Sequence, residues 1–272
     1  MKYDTTALEG INTVLVTGAG SGIGKAFAVE FAKLGLNCVL VGRDKKRLAR
    51  VASILEKRYK VKTWIVQQDL SVYNGAQKLF SYCQKRNIQV DIVVNNAGRL
   101  INQELLTLSK KEITRYLYLH VHCTTFLTYL FGREMVKRRK GFIINISSIS
   151  AWMTLPGIQL YGATKRYIRD FSRSMYYEFA RSNVGVTVIC PSGVNTGCFK
   201  LPKRLRKGAL RFGLIIKPEQ VAKVGIEKTL KFKKQVFPNR FDRLFIFMTA
   251  NLIDPVVFWL MKKDSLFKGK KK

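Results

Sequence analysis

A chain of 272 residues with 47% hydrophobic and 24% charged residues has the length for one large α/β domain, and this composition excludes a disordered chain and a multi-span membrane protein. Its 49 Lys and Arg against 17 Asp and Glu give a formal charge of +32, which suits anionic cofactors, anionic lipid or nucleic acid, and equally a solvated basic surface. Five cysteines, without CxxC or Cys/His spacing, argue against a disulfide framework and a zinc site, so no metal is expected.

In chain order, residues 1–10 hold no apolar run able to act as a signal-peptide core, which favours a cytoplasmic location. Apolar runs of strand length follow at 14–17, 38–41, 64–66, 92–94, 142–146 and 186–189, separated by stretches of helical period. Runs without polar alternation read as strands buried on both faces. Between the first two, Ile23, Phe27, Phe31 and Leu34 mark one helical face, and Gly35 stands where a left-handed C-terminal cap belongs. Ser109 and Glu112 read as a capping box opening one long helix through Tyr129. The alternation predicts a doubly wound parallel α/β sheet of Rossmann-like form, with right-handed crossovers and helices on both faces.

Composition shifts near residue 200. Residues 200–217 contain seven basic residues and no acid, a helix is expected to start near Pro218, and an apolar, aromatic tail runs from Phe241 to Met261. Residues 1–240 are read as the cofactor-binding domain with its substrate lid, and 241–272 as an apolar and basic arm. Asn251, Asp254 and Pro255 break the tail, so a spanning helix is not expected. Two shorter apolar pieces flanked by Lys262, Lys263 and the run 268–272 suit peripheral binding to an anionic membrane, the alternative being an arm packed on the protein.

The first strand leads into Thr17, Gly18, Ala19, Gly20, Ser21, Gly22, Ile23 and Gly24, a TGxxxGxG pattern. Glycines there allow a tight turn and bring a pyrophosphate close to backbone N–H groups at a helix N-terminus. Asn95, Asn96, Ala97 and Gly98 follow the fourth strand, Ser148 the fifth, and Tyr161 with Lys165 lie four apart on the next helix. Taken together these residues resemble the short-chain dehydrogenase/reductase family, over about residues 11–230.

That resemblance implies a ketone–alcohol oxidoreductase in which Tyr161 is the general acid, Ser148 hydrogen-bonds the substrate oxygen and Lys165 also binds the nicotinamide ribose. Tyr161 and Lys165, at i and i+4, share one helix face. A free phenol has a pKa of about 10, and an ammonium close by favours its phenolate. The implied cofactor contacts are Gly18, Ser21, Gly22, Ile23, Gly24, Asp69, Asn95, Ala97, Gly98, Tyr161, Lys165 and Thr196. Ser192 stands where the Thr196 loop usually has Gly. After the second strand, Gly42 and Arg43 leave room and a guanidinium for a 2′-phosphate, so NADP(H) is favoured over the alternative NAD(H), unless Arg43 pairs with Asp44. The family's fourth catalytic residue, an Asn that holds a relay water, aligns with His120, or with His122 if the gap shifts. A His there could hold the water through one ring nitrogen and titrate near neutrality, or be a buried structural residue.

Residues 16–48, the later GFIINISSISA and the tail look like the 17β-hydroxysteroid dehydrogenase and long-chain 3-ketoacyl reductase branch, which implies an apolar ketone or alcohol of steroid or fatty-acyl type. A homo-oligomer is expected. No nucleic-acid-binding signature is present. The competing function is a non-catalytic NADP(H)-binding or membrane-surface scaffold on a reductase fold, favoured by His120 and Ser192 and opposed by Ser148, Tyr161 and Lys165.

Overall fold

Strands built from Val, Ile and Leu without polar alternation need cover on both faces, and the structure supplies it. The computed structural model describes residues 6–154, 157–196, 215–239, 241–242 and 246–247. Its strands are β1 (Thr13–Thr17), β2 (Asn37–Gly42), β3 (Thr63–Gln67), β4 (Ile92–Asn95), β5 (Gly141–Ile146), β6 (Val184–Ile189), β7 (Gly193–Val194), β8 (Ile215–Ile216) and β9 (Gln235–Val236). Seven of them form one parallel sheet in the order β3-β2-β1-β4-β5-β6-β9, and β7 pairs with β8 in a small parallel ladder. This is the expected Rossmann-type sheet.

The helices are α1 (Gly22–Lys33), α2 (Lys45–Tyr59), α3 (Gly75–Lys85), α4 (Lys110–Leu117), α5 (Cys123–Arg138), α6 (Gln159–Ala180) and α7 (Pro218–Leu230). Successive β1 side chains go to opposite faces. Val14 and Val16 pack with Phe27 and Phe31 of α1 and Ile226 of α7, whereas Leu15 packs with Leu79 of α3 and Leu127 and Met135 of α5. Each such fully buried side chain contributes roughly 1.5–3 kcal/mol. Strand order reverses between β1 and β4, so a crevice opens at their carboxyl ends.

Two local signals appear as read. Gly35 has φ +82° and donates to the Ala32 carbonyl at 3.0 Å, ending α1. Ser109 Oγ accepts the Glu112 N–H at 3.2 Å while the Glu112 carboxylate accepts the Ser109 N–H at 2.9 Å, opening α4. The single long helix expected beyond it is two helices, α4 and α5, joined by a π-helical turn at Tyr118–His122 in which the Cys123 N–H reaches back to the Tyr118 carbonyl. Strand β9 and the β7·β8 ladder were not anticipated.

Among the described residues no helix is long and apolar enough to cross a membrane, and no group of three His, Cys, Asp or Glu could hold a metal. Cys38, Cys83, Cys123 and Cys190 are buried, and burial pushes each thiol up to about 12. Cys198, most of the basic run 200–217 and nearly all of the arm 241–272 lie outside the described residues.

Candidate active site

The crevice is lined first by the glycine loop after β1. Gly18 (φ +68°) and Gly22 (φ +55°) hold left-handed backbone that a side chain would strain. A Cβ on Gly18 would lie 2.8 Å from Asn96 Nδ2, and one on Gly24 would lie 2.3 Å from the Gly18 carbonyl oxygen. The loop is pinned to the next one by Thr17, whose hydroxyl donates to the Val94 carbonyl at 3.1 Å and accepts the Asn96 and Ala97 N–H groups at 2.9 Å each. Asn96 Nδ2 donates back to the Thr17 carbonyl at 2.9 Å. Thr17 and Asn96 were read only as parts of their motifs; their partners were legible only once β1 and β4 were neighbours.

Ser21 caps α1 without a side-chain hydrogen bond, and the first turn of α1, with Ile23 and Gly24, has no acidic residue. Open N–H groups and the helix dipole at this end, beside glycines with no side chain in the way, fit a dinucleotide pyrophosphate. Thr196 comes from the other side: its methyl lies 3.2 Å from where a Cβ of Gly22 would be. Ala97 adjoins the glycine loop, its Cα 3.2 Å from where a Cβ of Gly18 would be.

Just after β2 Arg43 is exposed, and among the described residues its guanidinium makes no ion pair. Asp44 does not occupy it: the Asp44 carboxylate caps α2 by accepting the Arg47 N–H at 3.0 Å and pairs with Arg47 Nε at 3.1 Å, and that backbone hydrogen bond leads the effects holding its pKa below the ordinary value. Asp69 accepts the N–H and hydroxyl of Ser71, at 2.9 and 2.6 Å, and pairs with Arg115 of α4. Burial opposes its ionisation, but these hydrogen bonds and the guanidinium outweigh that and hold the carboxyl below the ordinary 3.8.

Asn95 is placed elsewhere than a cofactor contact would need. Its amide donates to Asn145 Oδ1 at 2.8 Å, and Asn145 donates in turn to Ser172 Oγ at 2.8 Å, a buried chain linking β4, β5 and α6. These bonds offset part of the cost of burying the amides, while Asn95 Oδ1 is buried without a partner among the described residues.

The reacting end is built by β5 and α6. Ser148 follows β5 and caps a short 3-10 turn, its Oγ accepting the Ser150 N–H at 3.1 Å, which leaves its own proton for another acceptor. Tyr161 is half-buried, one turn before Lys165. Lys165 is 6% exposed, donates from Nζ to the Ile146 carbonyl at 2.8 Å, and places that ammonium 5.7 Å from the Tyr161 ring centroid.

His120, on the π turn, is 1% exposed and stands edge-on to Tyr161 with ring centroids 6.1 Å apart. Its Nε2 accepts the Arg99 N–H at 3.1 Å and its Nδ1 lies 3.1 Å from Thr164 Oγ1. Both ring nitrogens are thus engaged by protein, which fits the buried structural residue, one of the two alternatives read from sequence, and leaves no open nitrogen for the other, a water-holding ring. Burial, then the charges of Lys165 and Arg99, hold its pKa well below the ordinary 6.5, which runs against the alternative of titration near neutrality. His122 instead stacks on Phe126, with centroids 4.2 Å apart.

An apolar groove of about 540 Å³ between α5 and α6, lined by residues such as Phe126, Tyr129, Phe171 and Met175, shares no residue with this constellation. The glycine cradle follows β1, Ser148 follows β5 and Tyr161 with Lys165 lie on α6, and the short chain dehydrogenase family matches residues 12–204. The chain belongs to that family.

Among its relatives, hydroxysteroid dehydrogenase-like protein 1 of Gallus gallus is 33% identical over 67% of this chain and 55% of its own length. The 17-beta-hydroxysteroid dehydrogenase type 3 of Homo sapiens is 31% identical over 68% of this chain and 60% of its own. The very-long-chain 3-oxoacyl-CoA reductase of Homo sapiens is 31% identical over 70% and 61%. A further Homo sapiens relative, 32% identical over 67% and 56%, is named an inactive hydroxysteroid dehydrogenase-like protein 1. The chain therefore matches less than two thirds of the length of each. Of solved structures, a 7beta-hydroxysteroid dehydrogenase superposes with a TM-score of 0.84 at 23% identity, covering 91% of this chain and 96% of that one. L-sorbose reductase of Gluconobacter frateurii, in complex with NADPH and L-sorbose, superposes at 0.75 with 27% identity, covering 84% and 94%. The relatives place the chain near the hydroxysteroid dehydrogenase and 3-oxoacyl reductase branch.

Proposed function

We propose that the chain is an NADP(H)-dependent oxidoreductase interconverting a ketone and a secondary alcohol on an apolar substrate of steroid or fatty-acyl type. The observation that carries this reading is the Tyr161–Lys165 pair: a half-buried phenol with a buried, anchored ammonium 5.7 Å from its ring. When bound, NADPH supplies the hydride. Gly18, Ser21, Gly22, Ile23 and Gly24 would hold its pyrophosphate, with Ala97, Gly98, Lys165 and Thr196 toward the nicotinamide and Asp69 toward the adenine. Arg43 would meet the 2′-phosphate, and its freedom from Asp44 supports NADP(H) over NAD(H).

In reduction, the Ser148 proton is available to the substrate carbonyl because its oxygen already accepts from Ser150, and this orients the carbonyl. Tyr161 gives its phenolic proton to the developing alkoxide. The Lys165 ammonium stabilises the phenolate left behind, and its carbonyl anchor keeps that charge in place. In oxidation the same groups work in reverse.

A homo-oligomer and peripheral attachment of the 241–272 arm to an anionic membrane belong to the same reading. The relative named inactive supports a second one, a cofactor-binding scaffold without turnover. Following NADPH absorbance over a panel of steroid ketones and 3-ketoacyl thioesters separates the two: consumption of NADPH with alcohol formed establishes the enzyme, and cofactor binding without reduction across the panel favours the scaffold.

A further inference from the structure

The end of β4 and the helix carrying Tyr161 must keep a fixed relation, because one lies at the cofactor crevice and the other carries the phenol. Between them stands a pair of stacked rings from one helical segment. Tyr116, the penultimate residue of α4, and His120, on the π turn, lie four apart with ring centroids 4.2 Å apart at an interplanar angle of 28°. Both are 1% exposed.

Each ring holds one side of Arg99. The Arg99 N–H donates to His120 Nε2 at 3.1 Å, and the Tyr116 hydroxyl donates to the Arg99 carbonyl at 3.0 Å. Gly98 makes this approach possible, since a Cβ there would lie 3.2 Å from His120 Nε2. A backbone N–H can only donate, so Nε2 bears no proton and the proton of the uncharged ring is on Nδ1. From there it points to Thr164 Oγ1 at 3.1 Å, and Thr164 passes its own proton to the Tyr161 carbonyl at 2.9 Å. Every donor in the chain Arg99, His120, Thr164, Tyr161 has one acceptor, and the direction is set by its backbone ends.

We propose that His120, backed by Tyr116, is a positioning residue: an Nδ1-protonated bridge that locks the loop after β4 to the turn of α6 carrying Tyr161. It does not move the proton of the reaction. The groups facing the ring are Tyr116 from α4, Arg99 from the loop after β4, and Tyr161, Thr164 and Lys165 from α6; the charges acting on it are the cations Lys165 and Arg99, with no carboxylate among them. Protonating Nε2 would break the Arg99 bond and add a third cation to a dry site. The π turn also fits this task, because the extra residue in the helix sets where its side chains aim.

The assignment rests on the Tyr161 chemistry proposed above only for its kinetic arm. The first arm needs no turnover: long-range ¹H–¹⁵N correlation spectra of the full-length ¹⁵N-labelled protein, recorded from about pH 5.5 to 8 around the ordinary histidine pKa. The chain has only 2 histidines, and His122→Gln assigns the signals. His120 is expected to keep the uncharged Nδ1–H pattern throughout; a titration midpoint in that range, or an Nε2–H pattern, overturns the bridge. In the second arm, His120→Ala lowers kcat roughly 10- to 100-fold, as small misplacements of reacting groups do, while the pH profile keeps the parent's shape. A limb of the parent profile that vanishes in His120→Asn would make the ring a relay and refute the proposal, as would an unchanged kcat in folded His120→Ala. Should His120→Ala fail to fold, Tyr116→Phe, which keeps the stack and removes one hydroxyl, carries the kinetic arm with the same expected direction. A parent that reduces no ketone sinks the proposed function, and the spectra still decide the bridge.

Discussion

Lys165 donates from Nζ to the carbonyl of Ile146, so the ammonium on α6 is tethered to the last residue of β5 rather than left to swing on its four-carbon stem. The charge beside Tyr161 is thereby placed by the sheet. Tyr161→Phe keeps the ring packing and removes the acid, so kcat is expected to fall by about 10²-fold or more with little change in NADPH affinity. Lys165→Ala should weaken both turnover and cofactor binding. Steady-state kinetics with titration of NADPH distinguishes them, and an active parent indifferent to Tyr161→Phe would remove the mechanism.

Among the described residues the Arg43 guanidinium has no ion pair to surrender to a 2′-phosphate, since Asp44 pairs with Arg47. Arg43→Ala is expected to weaken NADPH about tenfold, the lower range for a charge-assisted hydrogen bond on an exposed side chain, and to leave NADH unchanged. Calorimetric titration of both cofactors checks this; equal parent affinities for NADH and NADPH count against it.

The close approach of Gly24 to the Gly18 carbonyl admits no side chain. Gly24→Ala forces backbone apart at a clash distance of 2.3 Å, which is expected to cost roughly 1–3 kcal/mol and to abolish NADPH binding. Thermal melts should drop by at least about 2 °C for a chain of this size.

Asp69 carries a pH signature. Because its folded pKa lies below the ordinary 3.8, its ionised form favours the folded state above that value, and the contribution fades as pH falls through the lowered pKa. Arg115 and Asp69 keep 39% and 35% of their side chains exposed, which limits the pair to about 1 kcal/mol or less. Urea midpoints of the parent and Asp69→Asn are expected to differ at neutral pH and to draw together only as pH falls below 3.8 toward the lowered pKa; a constant gap would contradict the linkage.

The arm's attachment to lipid is testable by cosedimentation with anionic vesicles. Asp242 is 2% exposed and therefore part of the folded body, so the informative truncation ends after Phe247 instead of before Phe241. The full chain is expected to bind at low salt and less at high salt, and the truncated chain not at all.

Features fixed within a few residues could be read from the sequence. The Gly35 cap, the Ser109–Glu112 box and the glycine loop each depend on neighbours in the chain, and each appears where its pattern lies. Strand β9 has two residues flanked by Lys233 and Lys234, too short to show any period, and it exists because β6 offers it an edge. The His120 environment was equally hidden, since its partners Arg99 and Thr164 lie 21 and 44 residues away. Asn95 and Asn96 look alike in the motif; only the sheet decides that one enters the core and the other ties the loops.

The π turn at Tyr118–His122 also sets the helical phase of everything after it. A π turn amounts to one residue more than an α-helix would hold, and one residue is about 100° of rotation. Removing a residue there would let α4 and α5 fuse into a single regular helix, but would swing Cys123, Leu127, Phe131 and Met135 off the sheet that now covers them. Single-residue deletions between 118 and 122 are therefore a harsher insult than substitutions at the same positions, and the segment has no neutral path to a shorter length.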